Sequence, residues 1–523
     1  MHLKNSSDYL YNMLMRRIGL GEVFSCLILL TLCCAGCGTL RPAFSPEQKY
    51  PVEALERDYT LFRNILNESH PSVSWHTPAD SMEYYFNWGK SQLKDSMTEP
   101  QFRAVLTYVI AKIRCGHTST RYSRQYLKWL DTARLPLFPI SIKILDDTVL
   151  LNNTLQRSNI KLPRGTILTE FDGQPFLQVV DSLQQHLSID GYNKSYLDQT
   201  ISNRGAFGGW LRLVHGWKKE YNMGYIDSLG QQQYTSIRLV DPPKKDTTKK
   251  HVLPAIKEKL KKRERREERL YYARSMQIDT GLSTGYMTVN TFNGRHKFKP
   301  FFKESFRELN RRNIRHLVVD IRSNGGGNVN HSNFLTRMLI NKPFRVGDSL
   351  YAINKRSKYG NHIRYNAITG IFMSVITRKR ADGKYHFGYF ERHVFKPRKK
   401  DHYKGNVYVL TGPNSFSAAA LFAGQLKGQS NVKLIGEETG GGAYGNTAWF
   451  IPDVTLPETG IRFRLPRFRL VINKDAVNSG GGVMPDILVK PTRETILQNR
   501  DPKVERVRQM ILQSSLSKAL QYK

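Results

Sequence analysis

Residues 406–426 read "NVYVLTGPNSFSAAALFAGQL", and this stretch decides the fold of the second half of the chain. The apolar run "NVYVL" is typical of a buried strand, and the small and apolar residues from Ala418 onward predict a helix. Two serines, Ser415 and Ser417, lie between the strand and the helix. A serine at a helix start most often accepts a backbone N–H bond as an N-cap. The stretch alone therefore leaves open whether either serine is a nucleophile.

Strands and helices alternate on both sides of this stretch. The strand-like phrases are "GYMTV", "HLVVDIR", "NVYVL" and "VKLIGE", and helices are predicted around 299–312, after 329 and around the second serine. This alternation predicts an α/β domain with mainly parallel pairing over residues 275–496. A final helix is predicted within residues 497–523, where the chain reads "RDPKVERVRQMI".

A helical region is predicted before this domain, over residues 51–130. Apolar residues recur there at helical spacing, beginning with Leu55, Tyr59, Phe62 and Leu66. A further helix is predicted from Thr98, where "TEPQ" has the residues of a capping box, to Gly116. His117 follows directly, so the pattern predicts a histidine in the loop that leaves this helix.

Residues 131–243 change to short β-like runs separated by turns. The phrase "LPRGTILTEFDGQPF" resembles the second half of a PDZ domain, in which a strand ends in a glycine turn before a short helix. The carboxylate-binding glycine loop of that family is not visible, so the sequence leaves peptide capture by this module open.

The formal net charge of +36 is partly explained by a charged insertion at residues 244–274, which contains "KKRERREER". Interleaved charges of this kind predict a solvated helix, with docking on anionic lipid or polyanions as the alternative. Nucleic acid is not expected as a partner, because no recognition motif is present. The basic phrases at 396–404 and 462–470 suit acidic substrates or an anionic outer surface, and both interpretations stay open.

The N-terminus has the pattern of an export signal. Arg16 and Arg17 precede the short apolar run "GEVFSCLILLTLCCAGC", which is too short for a comfortable membrane span. "CAGC" resembles a bacterial lipobox, which implies a signal peptide over residues 1–37, lipidation at Cys37 and a tether over 38–50. The alternative is a plain secretory signal. Either interpretation predicts that the mature chain works outside the cytoplasm, and the first predicts a lipid-anchored protein of the bacterial cell envelope that faces the periplasm or the cell surface.

Two glycine-rich phrases accompany the serine stretch. "LVVDIRSNGGGNVN" brings a strand to a run of glycines whose N–H groups form a nest for a phosphate or an oxyanion. A phosphate loop needs a Gly-Lys-Ser/Thr ending, and none follows. "VKLIGEETGGGAYGN" matches Gly-x-Gly-x-x-Gly, but no acidic residue stands at the spacing of a dinucleotide site. The first phrase therefore favours an oxyanion site over a nucleotide site.

These phrases, with "GGGVMPDILV", resemble in order the motifs of the S41 serine peptidases, which include the carboxy-terminal (tail-specific) processing proteases and the tricorn protease. "ESHPSVSWHT" and "IRCGHTS" are similar to the helical segment of the tricorn-like branch. The resemblance implies an α/β core of the ClpP/crotonase type. It also implies Ser417 as the nucleophile, with the N–H groups of Gly326 and Ala418 as oxyanion donors and Ser415 as a structural residue.

A serine hydroxyl needs a base. Processing proteases use a lysine at a position that reads Gly442 here, so the resemblance to the tricorn-like branch implies His117 instead, and histidine titrates near pH ~6.5. The family's orienting glutamate falls on Ser479, and Asp475 is a substitute for it. The lone body cysteine, Cys115, is interpreted as a small buried hydrophobe. No metal or cofactor is implied.

The resemblance predicts a lipid-anchored envelope serine endopeptidase that acts on peptides or unfolded proteins through a Ser417 acyl-enzyme. The alternative is a catalytically weak or inactive S41-like binding lipoprotein, since related α/β cores also serve as binding proteins.

Overall fold

The computed structural model describes residues 44–242 and 262–521. The predicted signal peptide, the lipidation site Cys37 and most of the charged insertion lie outside the described residues. By its contacts the chain divides into two units, Met1–Gln48 and Lys49–Lys523, and every element below belongs to the second. Across the two described ranges, no helix combines the length and the apolar character needed to cross a membrane.

The predicted helical region contains helices at Val52–Ser69, Ala79–Ser91, Glu99–Lys112 and Arg124–Thr132, and a short antiparallel pair of strands, Lys49–Tyr50 and Met97–Thr98. The predicted apolar stripe is confirmed, because its members are buried: Leu55, Tyr59, Phe62 and Leu66.

The third of these helices begins as predicted and ends earlier. Thr98 and Gln101 form the capping box. The prediction that the helix runs to Gly116 is wrong, since it ends at Lys112 and Arg114 has a φ of 56°. A left-handed residue cannot continue a right-handed helix, so the chain turns before His117.

The β-rich module is an antiparallel sheet with helices packed against it. Its strands, in sheet order, are Ile140–Leu145, Thr148–Thr154, Ile167–Phe171, Glu220–Ile226 and Gln232–Arg238, with Gln174–Pro175 pairing beside the third. Its helices are Phe176–Gln184, Lys194–Ser202 and Ala206–His215. The predicted strand, glycine turn and short helix are present, while the last two helices were not predicted. Assignment of the module as a PDZ domain stays a prediction.

The central sheet of the second half is flanked by helices on both faces. Its strands, in order, are Arg274–Asp279, Thr284–Val289, His316–Asp320, Asn406–Thr411, Val432–Gly436 and Ile487–Leu488. The first pair is antiparallel and the others are parallel. The α/β prediction is therefore confirmed.

Alternate residues of these strands face opposite layers, as the pleat requires. Leu317 and Val319 pack with one helical layer, whose helices are Phe298–Arg311, Val329–Leu339 and Ala418–Leu426. Val318 packs on the other face with Val507 of the C-terminal helix Pro502–Gln521. Both faces of the sheet are thus covered, which is why its strands read as continuous apolar runs.

Two smaller sheets accompany the central sheet, and the second joins the helical region to the core. The first contains Arg378–Lys379, Tyr385–His386, Ser349–Ala352, Phe468–Val471 and Gly445–Ala448, and the second contains Asp453–Thr455, Arg462–Arg464 and Thr120–Arg121. The remaining helices are Asn366–Ile376, Gly388–Arg392 and Arg493–Leu497, with a 3₁₀ turn at Gly360–His362. Because Thr120–Arg121 pairs with a core strand, the loop that carries His117 is held against the α/β domain.

The two charged segments have different surroundings. In the described part of the insertion, the helix Lys262–Ala273 has exposed side chains from 263 to 269 and an Arg263–Glu267 pair at 3.0 Å, which confirms the solvated helix. In the phrase at 462–470, Arg462 and Arg467 are buried. Burial lowers the pKa of Arg467 to about 10, and its Nη2 donates to the main-chain oxygen of Asn354 at 3.2 Å. This phrase is therefore not a surface patch for acidic substrates.

Candidate active site

Ser417 lies in a strained turn between a strand and a helix. It follows the strand Asn406–Thr411 and directly precedes the helix Ala418–Leu426, with a φ of 55° and a ψ of −120°. Positive φ is rare outside glycine, costs about 1–3 kcal/mol and concentrates at functional sites. The Ser417 side chain makes no capping hydrogen bond. Its hydroxyl is therefore not used as a helix cap.

Ser415 stabilises the turn instead. Its buried Oγ donates to the main-chain oxygen of Ile321 at 2.8 Å and accepts from the N–H of Gly412 at 3.2 Å. These bonds join the turn to the end of the neighbouring strand. The two serines thus differ in the way that the sequence predicted, one bound within the fold and one not.

The glycine-rich turn at 324–327 lies directly against Ser417. The buried side chain of Asn324 donates to Val289 O and accepts from Gly326 N–H, both at 2.9 Å, and its main-chain oxygen accepts from Phe416 N–H at 3.0 Å. A Cβ on Gly326 would lie 2.7 Å from both Phe416 O and Ser417 Cβ. Glycine is required here by this approach and by its φ of 94°.

The predicted oxyanion donors need one correction. The N–H of Gly326 is already donated to Asn324, so it is not available to a substrate. The N–H groups of Gly327 and Ala418 have no hydrogen-bond partner among the described residues, and both residues line the cavity that contains Ser417. The side chain of Asn324 binds the N–H of Gly326, two residues later in the chain, and not the N–H of Gly327.

We expect Gly326→Ala to lower kcat/KM for peptide hydrolysis by about 10²-fold, because a displacement of the reacting groups by about 1 Å has that effect. The strained φ and the close contacts should also lower the free energy of unfolding by about 2 kcal/mol. Steady-state kinetics and thermal unfolding measure the two effects. Gly325→Ala is the matched control, since a Cβ at Gly325 meets nothing within 4 Å. Equal effects of the two substitutions would contradict the role of Gly326.

His117 reaches the same cavity from the helical region. Its buried ring packs against Phe416 with centroids 4.8 Å apart, and it lines the cavity together with Ser417. Neither ring nitrogen has a hydrogen-bond partner among the described residues. The two residues therefore share a cavity without being hydrogen-bonded. Catalytic hydrogen bonds are often long before substrate binds and tighten in the complex.

Asp190 is the carboxylate that faces His117, and sequence reasoning missed it. Its Oδ1 lies 3.8 Å from His117 Nδ1 and accepts from Gly116 N–H at 2.8 Å. Its Oδ2 accepts from the N–H of Gly442 at 3.5 Å. The sequence feature that could have indicated Asp190 is its place in "LSIDGYN", where it is a lone acidic residue between apolar residues and a glycine. This phrase lies in the β-rich module, in which no catalytic motif was recognised.

The predicted orienting residues, Asp475 and Ser479, are exposed. The N–H of Asp475 donates to Asn473 Oδ1 at 3.0 Å within its own turn, and Ser479 Oγ accepts from Gly481 N–H at 3.3 Å. Within the described residues neither one contacts the ring nitrogens of His117. The geometry therefore favours Asp190 over both of them, because a carboxylate must be close to a buried ring to orient it.

A second histidine fixes the loop that carries His117. His70 is buried, its Nε2 is hydrogen-bonded to Thr118 Oγ1 at 2.8 Å, and its Nδ1 accepts from Ser72 N–H at 3.2 Å. Since Nδ1 accepts, Nε2 carries the proton. Burial lowers the pKa of His70 from 6.5 to about 3. The folded protein thus holds this ring neutral at every pH near neutrality.

This pKa shift predicts a loss of stability in acid. Below pH ~6.5 the unfolded chain takes up a proton at His70 that the folded chain does not, so stability present above that pH falls as the pH drops toward 3. Between pH 7.5 and 5 the loss should be about 2 kcal/mol from this residue. His70→Gln should be less stable at pH 7.5 and show a smaller acid shift of Tm. An unchanged acid shift in the variant would contradict this assignment.

The cavity beside Ser417 and His117 has a volume of about 440 Å³ and a mainly apolar wall. Its aromatic lining residues are Phe372, Phe387, Phe390, Trp449, Phe450 and Phe468. Such a wall accepts large apolar side chains and excludes water from the reacting atoms.

Cys115 is buried two residues before His117, as the sequence predicted. Burial, together with the charge of Asp190, raises the pKa of its thiol to about 12. The nucleophilic form of cysteine is the thiolate, so Cys115 is not set up to attack a substrate.

Comparison with known proteins finds a family model that matches part of the chain. Residues 283–489 match the model of peptidase family S41. The chain carries an S41 peptidase domain. This domain places the protein among the serine-type peptidases, which are hydrolases. No curated protein matches the sequence.

Solved structures share the fold around the S41 domain. Mature CPAF complexed with lactacystin is 14% identical, with a TM-score of 0.59 over 88% of this chain and 98% of that chain. Mature CPAF is 14% identical, with a TM-score of 0.56 over 85% of this chain and 94% of that one. The similarity therefore extends from the S41 domain through the helical region and the β-rich module.

Proposed function

We propose that the protein is a lipid-anchored serine endopeptidase of the bacterial cell envelope, with Ser417 as nucleophile and His117 as general base. One observation carries this proposal. The uncapped hydroxyl of Ser417 lies in a strained strand-to-helix turn, in one cavity with a buried histidine and two N–H groups that form no hydrogen bond with the described residues.

The reaction begins at the turn. A serine held at positive φ between a strand and a helix exposes its Oγ, the arrangement of a nucleophile elbow. His117 Nε2 takes the proton of this hydroxyl as Oγ attacks the peptide carbonyl carbon, and it later returns the proton to the leaving amine. Water then hydrolyses the acyl-enzyme, with His117 again as the base.

Two other groups stabilise the charges that develop. The carbonyl oxygen becomes an oxyanion, and the N–H groups of Gly327 and Ala418 are free to donate to it. Asp190 faces the Nδ1 side of His117, so its negative charge stabilises the imidazolium that forms. The sequence had assigned the oxyanion to Gly326 and Ala418, and the orientation of His117 to Ser479 or Asp475.

The substrate is proposed to be a peptide or unfolded protein with large apolar side chains near the scissile bond. The apolar wall of the cavity supports this choice, since a charged side chain would lose its hydration there.

The cell-envelope location rests on the export signal and on "CAGC" at residues 34–37. If Cys37 carries the lipid, Cys37→Ser should move the protein from the membrane fraction to the soluble fraction.

A fluorophosphonate probe tests the assignment of the nucleophile directly. The purified folded protein should be labelled once per chain at neutral pH, and peptide mapping should locate the label on Ser417. Prior unfolding should abolish labelling, because the strained turn and the N–H groups exist only in the folded chain. Absence of labelling in folded protein would instead favour the binding lipoprotein.

We expect Asp190→Asn to lower kcat for peptide hydrolysis by about 10²-fold or more, with KM changed by less than about twofold. Asparagine keeps an oxygen for the N–H of Gly116, but it loses the charge that faces His117 and the oxygen that accepts from the N–H of Gly442, so Tm should fall modestly. Asp475→Asn is the matched control and should leave kcat unchanged, because Asp475 is exposed. A larger effect at Asp475 than at Asp190 would contradict the assignment.

A further inference from the structure

Three potential metal ligands meet behind the proposed catalytic histidine. The sulfur of Cys115, a ring nitrogen of His117 and a carboxylate oxygen of Asp190 lie within 4.8 Å of one another. All three side chains are buried, with exposed fractions of 3%, 6% and 4%. The sequence motifs indicated no metal site, because Asp190 comes from a different module from the other two.

The histidine in this cluster has no hydrogen-bond partner among the described residues. Both ring nitrogens of His117 are buried and form no hydrogen bond within the described part of the chain. Leaving a buried polar group unpaired costs about 1–3 kcal/mol. Cys115 Sγ lies 3.5 Å from the main-chain oxygen of Thr447, and the sulfur also interacts with Thr118 and with the main chain of His117. A cation at the centre of the cluster would give the ring nitrogen and the sulfur a strong partner.

We propose that Cys115, His117 and Asp190 form an inhibitory zinc site. Thiolate, imidazole and carboxylate are the ligands that Zn²⁺ takes in proteins, and three protein ligands leave a fourth position for water. Tetrahedral zinc requires ligand atoms about 3.3–3.7 Å apart. Nδ1 of His117 is already 3.8 Å from Oδ1 of Asp190, so small side-chain rotations complete the site.

The surroundings of Asp190 support a ligand role. Its carboxylate accepts from Gly116 N–H at 2.8 Å and from Gly442 N–H at 3.5 Å. Hydrogen bonds of this kind orient a carboxylate toward a metal and are found around zinc ligands. The carboxylate keeps a lone pair for the cation, and its negative charge offsets part of the charge of Zn²⁺.

Zinc binding releases one proton from the site. Zn²⁺ binds the sulfur of Cys115, and the thiol proton is released to water, because a metal-bound thiol is deprotonated. Zinc on Nδ1 of neutral His117 requires the ring proton to be on Nε2. A protonated Nε2 has no lone pair to accept the hydroxyl proton of Ser417, so the metal blocks the base. This inhibition rests on the proposed function, whereas metal binding does not.

Cobalt is the probe for the site. The protein is the full-length chain in which the other four cysteines, Cys26, Cys33, Cys34 and Cys37, are replaced by serine, so that Cys115 is its one thiol. Titration with Co²⁺ should give a thiolate-to-cobalt charge-transfer band that saturates at one equivalent, and added Zn²⁺ should remove it. The band should be lost in Cys115→Ser. No band in the parent protein would overturn the site.

Two further measurements keep the test decisive. If Cys115→Ser does not fold, Asp190→Asn should weaken Co²⁺ binding at least about tenfold, and unchanged binding would overturn the site. Zn²⁺ should block fluorophosphonate labelling of Ser417, and EDTA should restore it. Labelling that is unaffected by bound zinc would overturn the inhibition while the cobalt band supports the site. Absence of labelling in metal-free protein would overturn the proposed function, and the cobalt band would still decide the site.

Discussion

Ser417→Ala should lower kcat/KM for peptide hydrolysis by at least about 10⁴-fold while the protein stays folded. Removing the nucleophile of a serine peptidase eliminates the acyl-enzyme route and leaves only what substrate binding and the oxyanion donors contribute. Stability should rise slightly or stay unchanged, because the Ser417 side chain caps nothing. The measurement is steady-state hydrolysis of an unfolded protein substrate, with Tm recorded alongside.

Ser415→Ala is the matched control for this substitution. It removes the same atom two residues away, where Oγ donates to Ile321 and accepts from Gly412. Loss of these buried bonds should lower the free energy of unfolding by about 1–3 kcal/mol. Fluorophosphonate labelling at Ser417 should persist in this variant. Full activity in Ser417→Ala, or loss of labelling in a folded Ser415→Ala protein, would contradict the assignment.

His117→Gln should lower kcat/KM by about 10²- to 10⁴-fold, the range that a positioned general base contributes. Glutamine preserves much of the volume that packs on Phe416 but has no group that accepts a proton from a hydroxyl. Fluorophosphonate labelling should slow by a similar factor, since it also requires an activated Ser417. His215→Gln is the control, because His215 is exposed at the end of the helix Ala206–His215.

A double variant separates a catalytic unit from two independent effects. If Ser417 and His117 act together, Ser417→Ala with His117→Gln should be no slower than Ser417→Ala alone. If the decrease of kcat/KM in the double variant equals the product of the decreases in the two single variants, His117 acts through something other than Ser417, such as the stability of the loop at Thr118. Thermal unfolding of each variant distinguishes that case.

Much of the fold could be predicted from the sequence. The apolar periodicity of the first helix, the capping box at Thr98 and the strand-to-helix order around Ser417 all depend on neighbours within a few residues. Such local patterns can be recognised without knowledge of the tertiary structure. The helix end near Gly116 was missed because a left-handed Arg114 is an uncommon terminator that composition does not reveal.

The site could be predicted only where a motif carried it. Ser417 and Ala418 lie in a motif, and the structure brings them into one cavity with His117. Asp190 lies in the β-rich module without a motif, and Gly326 is adjacent to the residue whose N–H is free. The first difference arises from packing between segments distant in the chain, which no local pattern encodes. The second arises from the bond between Asn324 and the N–H of Gly326, which depends on how the folded turn directs the asparagine side chain.

The sequence by itself determined the α/β class, the position of the strand-to-helix turn and the resemblance to the S41 peptidases, because these depend on local periodicity and on motifs in order. Only the tertiary structure decided which carboxylate faces His117, which N–H groups are free and that three metal-ligand atoms meet. The physical reason is that a contact such as that of Asp190 with His117 exists only after separate modules pack against each other. The packing of the two modules depends on all the residues buried between them and not only on Asp190 and His117.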